Sequence, residues 1–584
     1  MLIPRTHTCG ALRASHTGQQ VVIQGWTQAV RDRGGVAFLV LRDRSGSVQV
    51  TVDERSPDAA REAVKGIALE YTVQVKGEVV ERFRPNADMP TGAIEVVAHE
   101  IEVLSATKPM PFSMVGKVDA GEDVRLRHRY LDLRRPSLQQ NMILRHKVTF
   151  AVRRFLDTQG FLEIETPILT RATPEGARDF LVPSRVNPGD WFALPQSPQI
   201  FKQLLMVAGM DRYFQIARCF RDEDLRADRQ PEFTQIDLEM SFATRDMVMD
   251  VAEGIARSMW SEAGHELGTV PRMSFAEAID RFGVDAPDLR FGMELRTLTS
   301  ELEGSTFPPV TQALEAGGTV RALVVPGGAA CTRKQIDAWT QFVKAYKLGG
   351  LLWGKVTADG MSGPLAKAPV EGKTAALVQA VGAAEGDLIL AGAGSPDHVN
   401  PGLGRLRVAI AKELDMVAPG YHFCWVVDFP LFEQDDEGAW QSMHHPFTAP
   451  RPDHIPWLGT ERMGHILSDA YDMVCNGSEI GGGSIRIHRM DVQQQVFDAL
   501  GISPEEQRDR FGFLLDGLAH GAPPHGGLAF GLDRCVAILA GADSIRDVIA
   551  FPKTTSAQCL MSGAPSSVPP EDLDVLRVKS TFQT

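Results

Sequence analysis

Four stretches of the chain set charged side chains inside apolar, strand-like sequence, where a charge without a partner is costly. The first is Phe220-Arg221-Asp222-Glu223-Asp224, continued through Arg226, Arg229 and Gln230 to Phe233-Thr234-Gln235-Ile236-Asp237-Leu238-Glu239. Read as two strands joined by a polar loop, it sets Arg221 toward a phosphate and leaves carboxylates for an amine or a metal. The second runs through Tyr471-Asp472-Met473-Val474 to Glu479-Ile480-Gly481-Gly482-Gly483-Ser484-Ile485-Arg486-Ile487-His488. A strand, glycines that admit close backbone approach and two carboxylates seven residues apart suit Mg²⁺ bridging the phosphates of a nucleotide. The third, His525-Gly526-Gly527-Leu528-Ala529-Phe530-Gly531-Leu532-Asp533-Arg534, reads as a strand-to-helix turn that lifts Arg534 into a cleft. The fourth, Leu194-Pro195-Gln196-Ser197-Pro198-Gln199-Ile200-Phe201-Lys202, holds polar groups rigid with prolines at a helix start. Each alone also reads as an ordinary hairpin, turn or cap. The Gly-x-x-x-x-Gly-Lys-Ser/Thr phosphate loop is absent, so a bound ATP has to be held by arginines and metal.

These clusters need a scaffold, and the hydrophobic pattern supplies one. Residues 19–105 read as short strands, 20–26, 37–42, 48–53, 71–80 and 93–104, with Gly- and Pro-containing turns and little helix. Five strands suggest a small closed barrel with a face on which unpaired bases stack. Phe38 is the stacking candidate, flanked by Arg31 and Arg42; its competing place is the barrel core. Apolar residues from Leu144 to Phe155 recur at helical spacing up to Gly160, followed by the extended segment 161–167. Strands and helices alternate from 170 to 280. Residues 285–420 turn rich in Ala and Gly and read as an inserted α+β module, with strands near 320–325, 351–356 and 387–391 and a helix over 334–346. The expected domains are a barrel (1–106), a hinge (107–138), a catalytic domain in two parts (139–284 and 421–560), the insertion (285–420) and a surface tail (561–584).

The chain has 584 residues, too many for one core, and is 43% apolar and 23% charged without biased tracts. No run of about 18 apolar residues and no leader-like N-terminus appears, so membrane insertion and export are not expected and a cytoplasmic location is. The seven cysteines include no Cys-x-x-Cys pair and read as reduced thiols. A formal charge of −14 argues against indiscriminate binding of nucleic acid and leaves room for a local basic face, for which the arginine-rich stretch 124–135 is one candidate and a solvated hinge the alternative.

Together the clusters resemble the class II aminoacyl-tRNA synthetases, and within them the aspartyl enzymes of bacterial type, over essentially the whole chain. The segment ending at Thr166-Pro167 looks like the first class II motif, Phe220-Arg221-Asp222-Glu223 like the second and Gly531-Leu532-Asp533-Arg534 like the third. No His-Ile-Gly-His signature of the other class appears. The resemblance implies an oligonucleotide-binding (OB) barrel for the anticodon, a class II catalytic domain on an antiparallel sheet and an inserted α+β domain. It also implies ATP-dependent formation of aspartyl adenylate with release of pyrophosphate, then transfer to the 3′-terminal adenosine of tRNA(Asp). Arg33 and the loop Phe83-Arg84-Pro85-Asn86 lie where family members differ in charging tRNA(Asn) as well; these residues leave both ranges open, tRNA(Asp) alone or with tRNA(Asn), and the expectation leans slightly toward strict charging.

By the same resemblance Glu175, Gln199, Lys202, Arg221, Asp237, His444 and Arg486 bind aspartate. A bidentate guanidinium with a second cation is also what a buried side-chain carboxylate calls for, and Arg486 and Lys202 fit those posts. Arg221, Asp222, Glu223, Gln230, Glu479, Gly531, Leu532, Asp533 and Arg534 bind ATP, with Arg221, Glu223 and Arg534 catalytic. Asp472 and Glu479 hold Mg²⁺; Arg31, Phe38 and Gln49 contact the anticodon; a homodimer follows from the first motif. An Arg486→Leu change is expected to cripple aspartate use and leave the fold intact. The alternatives are an asparaginyl or lysyl relative, against which Arg486 and the insertion count, and a non-catalytic RNA-binding paralogue, against which the intact motif arginines and carboxylates count.

Overall fold

A computed structural model describes residues 3–116, 118–172, 177–435 and 437–581. The backbone divides into two units, residues 1–143 with 546–566 and residues 144–545 with 567–584.

The first unit contains a closed five-stranded barrel of β1 (Gln20–Arg33), β2 (Val36–Asp43), β3 (Gly46–Val52), β4 (Thr72–Glu81) and β5 (Ile94–Ser105), in the order β1-β2-β3-β5-β4. Alternation drives it: Val21 and Ile23, Leu39 and Leu41, Val48 and Val50, and Val73 and Val75 point inward and are buried. One helix, Asp58–Lys65, adds Ala60 and Val64 to that core. Two sequence expectations change here. Arg42 does not face a nucleic acid: it is 7% exposed and donates to both carboxylate oxygens of Glu70, at 2.5 and 2.9 Å. The basic stretch 124–135 folds as helices Glu122–Arg127 and Arg129–Asp132. Within it Arg129 is 2% exposed, donating to Asp132 and to the carbonyls of Arg546, Ile549 and Ala550. Arg125 and Arg135 also pair with Asp132. Much of that positive charge is therefore consumed inside the fold.

In the second unit, the end of helix Pro136–Thr158 leads to β6 (Leu162–Glu163), the hairpin β7 (Leu181–Pro183) and β8 (Trp191–Ala193), and the long strands β9 (Arg212–Phe220) and β10 (Glu232–Ser241), then β11 (Arg272–Ser274). A separate five-stranded sheet follows, β12 (Arg296–Thr297), β13 (Thr319–Val325), β14 (Leu352–Thr357), β15 (Gly360–Ser362) and β16 (Leu388–Gly394), in the order β12-β13-β16-β14-β15. Its central strands are apolar on both faces: Leu323, Val325 and Leu390 pack into one core, Val320, Ile389 and Ala391 into another. The chain then returns through β17 (Phe423–Val427), a small hairpin of β18 (Phe432–Gln434) and β19 (Trp440–Ser442), β20 (Ala470–Cys475), β21 (Ser478–Ile485) and β22 (His525–Gly531).

Eight strands from both sides of the insertion form one sheet, β11-β17-β20-β21-β22-β10-β9-β6. Its six inner strands run antiparallel, and the short edge strands β11 and β6 pair in parallel. All seven cysteines are buried, and none is joined in a disulfide among the described residues. Among the described residues no helix is long and apolar enough to cross a membrane.

Candidate active site

Register across the large sheet decides which side chains meet. Asp472 of β20 lies opposite Gly482 of β21, Gly482 opposite Ala529 of β22, Ala529 opposite Asp237 of β10, and Asp237 opposite Gln215 of β9. Residues opposed in this way share a face, so two carboxylates stand on one face with only Gly and Ala between them. Two residues along, Ser484, Gly527 and Glu239 form a second such row. The small residues are required. A Cβ on Gly482 would lie 2.5 Å from Asp472 Oδ1 and 3.2 Å from Glu479 Oε1, and one on Gly527 would lie 2.0 Å from Glu239 Oε2.

Over this floor open two cavities. One, of about 390 Å³, includes Gln199, Lys202, Asp237, His444, Asp472 and Arg486 in its lining. The other, of about 230 Å³, includes Glu223, Gln230, Phe233, Asp533 and Arg534. Arg221, Gln235, Glu479 and Ala529 line both. A ligand in one cavity thus abuts a ligand in the other at Arg221.

The first cavity is built on buried ion pairs. Lys202, at the start of helix Gln199–Val207, is 2% exposed; its Nζ lies 2.9 Å from Asp237 Oδ2 and 3.3 Å from Glu239 Oε2. Arg486 donates to Glu239 from Nε (3.0 Å) and Nη2 (3.3 Å), and from Nη1 to His445 Nε2 (2.8 Å) and Ser484 Oγ (2.7 Å). His445 Nε2 faces Arg486, and its Nδ1 faces the backbone N–H of Phe447 at 3.2 Å and Thr448 Oγ1 at 3.4 Å. Burial and the Arg486 charge hold His445 well below the usual imidazole range. Burial also lowers His444, whose ring nonetheless faces the open cavity. Asp237 is pushed up to about 6 by burial, against the pull of Lys202, and its Oδ1 has no hydrogen-bond partner. Arg221 stacks 5.2 Å from the ring of Phe233 and keeps an unpartnered Nε.

Asp472 is raised well above the carboxylate range, first by burial and then by the charges of Glu479 and Asp285, so the site favours an added cation. Among the described residues no three His, Cys, Asp or Glu side chains group as a metal cage. Two carboxylates that leave positions for phosphate oxygens and water are the arrangement Mg²⁺ accepts.

Several expected residues sit elsewhere. Glu175 lies outside the described residues. Asp222 is exposed and lines neither cavity; its backbone bridges to Arg178. Leu532 is 1% exposed and packs behind the turn. Glu223 lines the second cavity but already accepts from Arg229 at 2.9 Å. Sequence reasoning also missed supports: Glu239 and His445 around Arg486, and the relay from Gln199 through Gln203 to His525, at 3.0 and 3.1 Å. His445 sits beside the chosen His444, and only the fold shows which of the pair touches Arg486.

On the barrel, Arg31, Phe38 and Gln49 line a groove of about 500 Å³ with Arg82, Phe83 and Glu95. Phe38 is half-buried and so belongs to the groove wall. Gln49 is gripped on both sides of its amide, accepting from Arg82 Nη2 at 2.6 Å and donating to Glu95 at 2.7 Å.

The model of the family "tRNA synthetases class II (D, K and N)" matches residues 121–555, and that of "OB-fold nucleic acid binding domain" matches residues 21–104. The chain belongs to that synthetase family. An Aspartate--tRNA(Asp/Asn) ligase of Geotalea uraniireducens is 50% identical to the synthetase over 99% of this chain and 98% of its own. An Aspartate--tRNA ligase of Bacillus licheniformis is 50% identical, covering 98% of both. In fold, it is similar to an asparaginyl-tRNA synthetase of Pyrococcus horikoshii (TM-score 0.60, 19% identity, 95% of this chain and 99% of that one). It is likewise similar to an aspartyl-tRNA synthetase of Entamoeba histolytica (TM-score 0.56, 18% identity, 92% and 89%).

Proposed function

We propose that the two cavities hold L-aspartate and ATP side by side, and that this aspartate–tRNA ligase joins them at Arg221 before passing the aspartyl group to tRNA. The observation that carries this is the pair of cavities, one walled by buried cations, the other by Arg534, that share Arg221 and Glu479. The unpartnered Oδ1 of Asp237 is placed to accept from the substrate ammonium. Lys202 and Arg486 meet the side-chain carboxylate, with His444 on the same wall. Reaching Nη1 and Nη2 of Arg486 together requires displacing His445 or Ser484, both neutral acceptors, which a carboxylate outcompetes.

The α-carboxylate oxygen attacks the α-phosphorus of ATP; a P–O bond forms, the bond to the β-phosphate oxygen breaks and pyrophosphate leaves. No enzyme nucleophile is needed. Arg221 and Arg534 neutralise the charge that spreads over the phosphate oxygens, and the sheet holds the reactants in line. Asp472 and Glu479 would hold Mg²⁺, which when bound neutralises and orients the phosphates. The 3′-hydroxyl of the terminal adenosine then takes the aspartyl group from AMP. The barrel groove reads the anticodon through Phe38, Arg31 and Gln49.

Two finer points belong to the proposal. The acceptor range includes tRNA(Asn), in place of the slight lean toward strict charging, because relatives such as that of Geotalea uraniireducens carry both acceptors in their names, while the Bacillus licheniformis relative's name specifies no tRNA. The synthetase works as a homodimer. Between residues 162 and 192 it exposes Leu162, Ile168, Leu169, Leu181, Trp191 and Phe192, from 37% to 57% each, an apolar concentration that suits a second copy.

The test is ATP–pyrophosphate exchange with aspartate, asparagine or lysine, with and without Mg²⁺, followed by charging of purified tRNA(Asp) and tRNA(Asn). Metal-dependent exchange with aspartate alone is expected. Exchange with another amino acid would overturn the pocket assignment, and no exchange at all would favour the non-catalytic module.

A further inference from the structure

Helix Pro136–Thr158 lends no residue to either cavity, yet Arg145 on it reaches the turn that carries Arg534. Its Nη1 donates to Asp533 Oδ1 at 2.5 Å, while Asp533 Oδ2 accepts the backbone N–H of Thr234 at 2.8 Å. The ladder between β10 and β22 ends at the pair Gln235 and Gly531, where the chain turns into helix Leu532–Ala540. The Asp533 carboxylate takes the next place in that ladder, so a side chain continues what the strand has stopped providing. It is 3% exposed, and a buried carboxylate held by one neutral N–H is costly unless a cation faces it. Arg145 supplies that cation.

The two segments this carboxylate joins line the nucleotide cavity: Thr234 with its neighbours Phe233 and Gln235, and Asp533 with Arg534 after it. We infer that Arg145 is a positioning residue for nucleotide binding, locking Asp533 so that Arg534 points at the phosphates. The inference rests on Arg534 being a phosphate-binding residue.

Exchange kinetics on Arg145→Gln, Arg145→Lys and Arg534→Gln test it, with thermal melts to establish folding. Arg145→Gln should raise the KM for ATP about tenfold while the KM for aspartate stays within about twofold, and Arg145→Lys should restore most of the loss. A folded Arg145→Gln with the wild-type KM for ATP overturns the inference. So does a parallel rise in both KM values that Lys does not relieve, the mark of a merely structural role. If Arg534→Gln itself keeps the wild-type KM for ATP, it is the nucleotide assignment that fails; if only Arg145→Gln is silent, the assignment stands and the inference falls. Should Arg145→Gln not fold, Arg145→Met makes the same test, a raised KM for ATP with an unchanged KM for aspartate supporting the proposal and an unchanged KM for ATP overturning it.

Discussion

Arg486 makes four hydrogen bonds to three residues, Glu239, His445 and Ser484, before substrate arrives, and most of these partners are buried with it. This alters what its removal does. An Arg486→Leu change should lower kcat/KM for aspartate roughly a thousandfold, since the substrate carboxylate loses its charged partner. It also leaves Glu239, which is 0% exposed, with Lys202 at 3.3 Å as its remaining cation, so the fold should survive with a loss of stability of about 1–3 kcal/mol, measurable by denaturant melts. Asp237 governs the pH response. Burial raises its carboxyl to about 6, so below that pH it binds a proton and cannot accept the ammonium. The KM for aspartate should climb as pH falls through about 6, and an Asp237→Asn variant, already weak, should lose that inflection; a wild-type profile flat from pH 7 to 5 would contradict the assignment. For stability the sign is opposite: a carboxyl raised from 3.8 to about 6 favours the folded state less as pH rises through that interval.

At the scale of elements, the hairpin of β20 and β21 brings together carboxylates seven residues apart, and Gly482 is its hinge of tolerance. A Gly482→Ala enzyme should fold, because the added methyl meets side-chain oxygens, yet bind Mn²⁺ about tenfold more weakly in electron paramagnetic titrations; unchanged affinity would remove Asp472 and Glu479 from the metal site. Much of this level was legible in the sequence. The barrel strands announced themselves by alternation, and the clusters 220–239, 471–488 and 525–534 stood out because charges interrupt buried strands. Less legible was what depends on pairing. Arg42 looked available for phosphate because Glu70 lies far along the chain, and the basic stretch 124–135 looked like an open surface because the carbonyls that absorb Arg129 come from residues 546, 549 and 550. The row from Asp472 to Gln215 has no sequence signature at all, since register is set by the fold.

At the scale of the molecule, the exposed apolar residues between 162 and 192 predict the assembly state. Sedimentation should give a dimer at micromolar concentration, and Trp191→Asp should shift it toward monomer; a monomeric wild type would contradict the proposal. The sheet of β12 to β16 has two apolar faces, each covered by a core of its own. It can be watched separately, and the seven buried cysteines make that practical. Sheltered thiols are slow to alkylate in the native state, and Cys559, at 9%, is the least shielded of them. A thiol introduced at an exposed site such as Glu371 would be the first to take a maleimide dye, giving a fluorescent reporter on the inserted module in an otherwise silent background while tRNA is bound and released.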